Sequence, residues 1–155
     1  MEDLALNFIS NEMLPLVLAF FSGVLMAIQG SLNTALSKVI GLLEATFVVQ
    51  LTGTILVMFL LFVGNMGKGN LYLWQEAPWY SWLGGIVGVA IIYLVAASIP
   101  SVGVANATTA IIVGQVLTAI IIDHIGGFGL DRAVCSPKQL LGLALLAVGA
   151  RLLLK

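Results

Sequence analysis

The sequence predicts an all-α membrane protein of five transmembrane helices. Three observations predict it. Of the 155 residues, 61% are hydrophobic and only 8% charged, where a soluble domain carries about 25% charged residues. The mean hydropathy is +1.14. The apolar residues also fall into five runs, each close to the ~20 residues that cross a bilayer, with glycine, proline and asparagine between them. The length fits one compact transmembrane domain covering residues 1–155.

Helix 1 is expected over 14–37, with Pro15 in its first turn, where a missing N–H is tolerated. Helix 2 is expected over 44–63, and "GNMGKGN" then breaks the apolar pattern. Helix 3 is expected over 79–99, stopped by Pro100, and helix 4 over 102–123. "SIPSVG" leaves almost no loop between them, so these two should form a tight antiparallel hairpin. Gly126, Gly127, Gly129 and Pro137 mark the next loop. Helix 5, over 138–154, is somewhat short, with Arg151 and Lys155 placed to snorkel to the interface. Tyr72, Trp74, Trp79, Tyr80 and Trp82 gather around one loop and read as an interfacial aromatic belt.

The formal net charge of -1 gives no reason to expect a nucleic-acid partner. Cys135 is the one cysteine and is expected to be an inert loop thiol, without an intrachain disulfide. The acidic start "MEDLALNFISNEM" lacks the basic region of a secretory signal. Five crossings put the termini on opposite sides of the bilayer. Lys68, Arg132 and Lys138 then lie on the N-terminal side, and Lys38, Arg151 and Lys155 on the other. The positive-inside rule needs an excess on one side, and none exists here. Such a chain is expected to insert both ways, unless helix hydrophobicity or a partner sets its orientation. Two copies in opposite orientation would form an inverted pair of ten helices.

At about 100° per residue, Ser22, Met26, Gln29 and Asn33 share one stripe of helix 1, beside a small-residue seam of Gly23, Ala27 and Ser31. Helix 2 offers Gln50 and Thr54, with Gly53 beside them. Helix 4 offers Thr108 and Gln115 on one face and a seam of Ala110, Gly114 and Thr118. Gly84 and Gly88 give helix 3 a GxxxG spacing, with Gly85 adjoining. Small residues let backbones approach, and polar side chains bond across the gap. The amides either stitch helices together or line a polar cavity near the midplane. Their concentration on helices 1, 2 and 4 favours a shared cavity, making Gln29, Asn33, Gln50 and Gln115 candidate substrate ligands. Glu44 opens helix 2, where the dipole suits it, and Asp123 closes helix 4 beside His124. These three are the candidates for ion coupling, although helix-end hydrogen bonding explains them as well. No metal-ligand spacing, nucleophile constellation or phosphate loop is visible, so neither catalysis nor a cofactor is expected.

Taken together, "AIQGSLNTALSKVIG", "FVVQLTGT", "PWYSWLGGIVG", "GQVLTAIIIDHIGGFG" and "GLALLAVG" resemble the YdcZ-like family, a five-helix bacterial inner-membrane branch of the drug/metabolite transporter superfamily. The resemblance covers essentially the whole chain. It implies half of a ten-helix inverted-repeat transporter acting as a dimer. Its polar landmarks correspond to Gln29, Asn33, Gly114 and Gln115. "GLALLAVG" is also similar to the dimerising helix of the small multidrug resistance family, with two glycines seven apart, here Gly142 and Gly149. That family carries an essential membrane-embedded Glu in helix 1. Gln29 cannot titrate, which removes the group that cation/proton exchange by that mechanism needs.

These readings converge on a small-metabolite transporter working by alternating access as a dual-topology homodimer, or with a paired homologue as its second half. Its partners are the lipid bilayer and a small polar substrate. Helix 5 would hold the dimer, while helices 3 and 4, flexible through Gly84, Gly85 and Gly88, would rock. A dual-topology channel for small solutes or ions, or an accessory subunit without transport activity, also fits an amide-lined bundle.

Overall fold

The computed structural model describes the backbone of residues 2–154 and the side chains of residues 13–154. Lys155, expected to snorkel, and the side chains of the acidic start before Met13 lie outside the described residues. Among the described residues there are five α-helices and no β-strand: α1 (Glu2–Ile40), α2 (Leu42–Met58), α3 (Leu83–Val102), α4 (Val104–Ile125) and α5 (Pro137–Leu153). A π-helical turn, Phe59–Val63, prolongs α2, and two 3-10 segments, Leu71–Glu76 and Trp79–Trp82, lead into α3. Four stretches are long and apolar enough to cross a membrane: Met13–Ile40, Leu42–Val63, Trp79–Val102 and Val104–Ile125. The fifth, α5, has 17 residues, about 26 Å at 1.5 Å per residue, somewhat less than a ~30 Å hydrocarbon core.

Both prolines, Pro15 expected in the first turn of its helix and Pro100 expected to stop one, sit elsewhere. Pro15 lies inside α1, which begins well before it. Pro100 lies inside α3 and does not stop it. A proline forfeits its own N–H bond and crowds the preceding turn, but residues beyond it still donate backward, as Gly103 N–H does to the Ile99 carbonyl at 2.8 Å. What ends α3 is Gly103 at φ 84, ψ 160.

The same device joins α1 to α2. Gly41, at φ 99 and ψ 158, donates to the Ser37 carbonyl at 2.9 Å and accepts from Ala45 N–H at 3.0 Å. Gly103 likewise donates to Ile99 and accepts from Ala107, at 3.0 Å. One residue therefore closes the last turn of one helix and opens the next, with neither of its backbone groups orphaned. That backbone region is open essentially to glycine alone. Four residues either side of each glycine sits a buried side chain: Ser37 and Ala45, then Ile99 and Ala107.

The chain divides into two compact units, one ending at Ala97 and one beginning at Ser98. In the first, α2 packs against α1. Among the described residues, the buried positions of α1 are Gly30, Asn33, Thr34 and Ser37, a single face at i, i+3, i+4 and i+7. Ala45 and Thr46 are those of α2. In the second unit α5 packs against α4. Gly126, in the left-handed region at φ 66, ends α4. A reciprocal capping box between Ser136 and Gln139, with Pro137 following the cap, opens α5.

Candidate functional site

Lipid hydrocarbon offers no hydrogen bonds, so each polar side chain in a span must find a partner in protein or water. The hydroxyls of α1 and α2 do so locally. Ser22, Ser31, Thr34 and Ser37 donate to carbonyls three or four residues back at 2.7, 2.9, 2.8 and 2.9 Å. Thr46, Thr52 and Thr54 each do the same at 2.8 Å. Every described Ser and Thr of these two helices thus spends its proton on its own backbone. The three amides do not. Among the described residues the side chains of Gln29, Asn33 and Gln50 form no hydrogen bond with protein.

Their settings differ. Asn33 is 6% exposed, on the buried face of α1, yet among the described residues no buried side-chain polar atom is sealed off without a partner. Its amide therefore keeps an opening. Gln50 is half-buried, and α3 approaches it at Gly88, where a Cβ would stand 3.6 Å from Gln50 Nε2. Counted from the Gly41 turn, Asn33 and Gln50 lie at similar depths, about 12 and 13.5 Å along their helices. Gln29, one turn further along α1, is exposed. The stripe expected on helix 1 is thus divided: Asn33 is buried while Ser22, Met26 and Gln29 face outward. The buried stripe is rotated from it, running through Gly30, Thr34 and Ser37, at a helical spacing that the sequence shows but that no amide or charge marks.

In the second unit Gln115 is exposed on α4 and Thr108 is half-buried. The small-residue seams are largely open on the single chain. A Cβ added at Gly23, Gly84, Gly85, Gly114, Gly142 or Gly149 would meet nothing within 4 Å outside its own helix.

The ion-coupling candidates sit at helix ends. Glu44, in the first turn of α2, makes no capping bond; its carboxylate folds back over Gly41. Asp123 and His124 are exposed near the end of α4 and are tied to the following loop through backbone atoms. The Asp123 carbonyl accepts from Ala133 N–H at 2.8 Å, and the His124 carbonyl from Arg132 Nε at 2.8 Å. This guanidinium supplies the positive charge that a helix C-terminus favours. His124 Nδ1 accepts from Cys135 N–H at 3.4 Å, so a proton on Nδ1 and this bond exclude each other. The aromatic residues expected to form a belt lie on the 3-10 segments, with Trp74 and Trp82 edge to face at 4.9 Å.

The family model described as "Putative inner membrane exporter, YdcZ" matches residues 14–152. No curated protein and no solved structure matched the chain.

Proposed function

The chain belongs to the YdcZ family of inner-membrane exporters, and from that premise we propose that it carries a small polar metabolite by alternating access as a dual-topology homodimer. Membership makes it a multi-pass inner-membrane protein of a transporter family. The observation that carries the finer reading is the division of labour among polar groups: hydroxyls bonded to their own helices, amides left with donors and acceptors unspent. An amide both donates and accepts. Asn33, Gln50 and Gln29 therefore suit a solute rich in hydroxyl or amide groups, recognised by hydrogen bonds rather than by charge. Gln115 is proposed as a substrate amide on α4. Glu44, Asp123 and His124 are proposed as helix-end groups through which an ion could couple.

A second copy is supported by what the single chain leaves uncovered. Only 6 to 11% of the most apolar window of each candidate span is buried. Lipid covers exposed leucine without cost, but it does not satisfy the exposed amides of Gln29 and Gln115. An inverted partner would cover them and complete a ten-helix carrier. The test is counterflow in proteoliposomes holding purified full-length protein, across a panel of sugars, polyols, amides and amino acids. Saturable exchange of one class supports a carrier. Large unitary currents, or no exchange from any class, would overturn it in favour of a channel or an accessory subunit.

A further inference from the structure

Tyr93 is a polar side chain of α3 that neither the fold nor the amide site uses. It stands ten residues from Leu83 and nine from Val102, about 14 Å from either end of the helix at 1.5 Å per residue. Tyrosine ordinarily sits at the membrane interface, with its hydroxyl at headgroup level. From the middle of a span the side chain reaches neither interface. Among the described residues its hydroxyl has no hydrogen-bond partner.

The ring does not belong to the amide face. At about 100° per residue, Gly88, Ile92, Val95, Ala96 and Ile99 share one side of α3, and all are buried or half-buried. Gly88, which approaches Gln50, is among them. Tyr93 lies about 140° around the helix from Gly88, on a stripe with Ile86, Ala90 and Ala97. Ile86 is 68% exposed and Tyr93 38%, while Ala90 is exposed and Ala97 half-buried. Lipid covers Ile86 without cost, but it offers a phenol no hydrogen bond, and an unpaired hydroxyl in an apolar medium is unfavourable.

We infer that this stripe is a seam on which a second, inverted copy of the chain sits, with the Tyr93 hydroxyl bonded to Tyr93 of the partner subunit. The inference rests on the dual-topology reading and gives it a face on α3, in addition to the α5 groove. Three features fit that occupant. A phenol both donates and accepts, so one hydroxyl can donate to the other across a twofold axis, where the same patch meets itself. In an inverted pair that axis lies in the membrane plane. Only residues at the middle of a span then meet their own copies, and Tyr93 is at the middle of α3. Ala90 and Ala97 flank it, seven apart, and small residues let two backbones come close.

Oxidative cysteine cross-linking of the full-length protein in proteoliposomes, in a Cys135→Ser background, tests it. Tyr93→Cys should cross-link to itself. Because the copies run oppositely, Ala90→Cys on one tagged copy should join Ala97→Cys on a differently tagged copy, in preference to either joining itself. Tyr93→Phe, which removes only the hydroxyl, should weaken dimerisation about threefold, the equivalent of one average membrane hydrogen bond. Self-joining at positions 90 and 97 without the mixed product would mean a parallel seam and would sink the inverted reading with it. No product at any of the three positions, in preparations that photobleach as dimers, would remove the seam from α3 and leave the inverted dimer standing on α5. A Tyr93→Phe variant that dimerises like the wild type would overturn the role given to the hydroxyl.

Discussion

Asn33 combines burial with an amide that no protein group satisfies, a state that is costly in an apolar medium unless water or a ligand completes it. Asn33→Leu and Gln50→Leu keep approximate size and remove the amide. If these amides serve only as interhelical glue, the loss is one of stability, about 0.6 kcal/mol per membrane hydrogen bond. If they hold substrate, uptake should fall about 5- to 150-fold, the equivalent of roughly 1–3 kcal/mol for an unpaired polar group, while the melting temperature moves little. Thr52→Val is the control: its hydroxyl already serves Val48, so uptake should stay within about twofold, since surface substitutions away from special features cost under ~0.5 kcal/mol. Initial uptake rate and thermal stability in one preparation decide between the two. The sequence made the amides legible, because Gln and Asn interrupt apolar runs. It did not reveal which amide of helix 1 is buried. Helical phase alone puts Gln29 and Asn33 on one stripe, and only the docking of α2 near the Gly41 turn selects Asn33, with Thr34 and Ser37 beside it.

The two single-glycine connections set the order of the helices within the first four elements, and their backbone angles make a direct prediction. Gly41→Ala and Gly103→Ala should each cost about 1–3 kcal/mol, the cost of holding an L-residue in that region. Gly103 isolates the backbone effect, since a Cβ there meets nothing within 4 Å. At Gly41 the added methyl also meets the Glu44 carboxylate, the exposed end of a flexible side chain that can swing away. The two costs should therefore be similar, and Glu44→Ala should not rescue Gly41→Ala. Denaturation in detergent measures all three. At the start of α5, Ser136→Ala removes an observed cap bond to Gln139 N–H and should cost about 0.5–2 kcal/mol, with faster hydrogen exchange over residues 136–140. Element existence was legible from apolar run length: five α-helices occur among the described residues, and four stretches are long and apolar enough to cross a membrane. Boundaries were less so. Pro15 and Pro100 look like punctuation, yet one lost N–H bond does not outweigh the remaining ladder of a long apolar helix, and the punctuating residues proved to be the glycines.

For the whole molecule, the balance of basic residues, three expected on each side, and the exposed small-residue groove of α5 bear on one assembly. Gly142 is exposed and Gly149 half-buried, and neither would lose its own fold to a Cβ, because nothing stands within 4 Å of either. Their spacing of seven returns to one helix face, leaving a shallow groove along α5. Membrane helices associate through such grooves, where backbones approach closely. Gly142→Leu and Gly149→Leu should therefore leave the monomer's thermal stability nearly unchanged and reduce the dimer population in bilayers, read by single-molecule photobleaching or cross-linking. Orientation gives the second half of the test. Two lysines added to the "SIPSVG" connection should draw that side to the cytoplasm. A C-terminal reporter that labels both sides in the native protein should then label one. Forced into a single orientation, the chain should lose self-association and transport together, and both should return when a copy biased the opposite way is supplied. A glycine variant that dimerises normally would move the interface off α5. A native reporter found on one side only would remove the inverted homodimer and leave a paired homologue as the source of the second half.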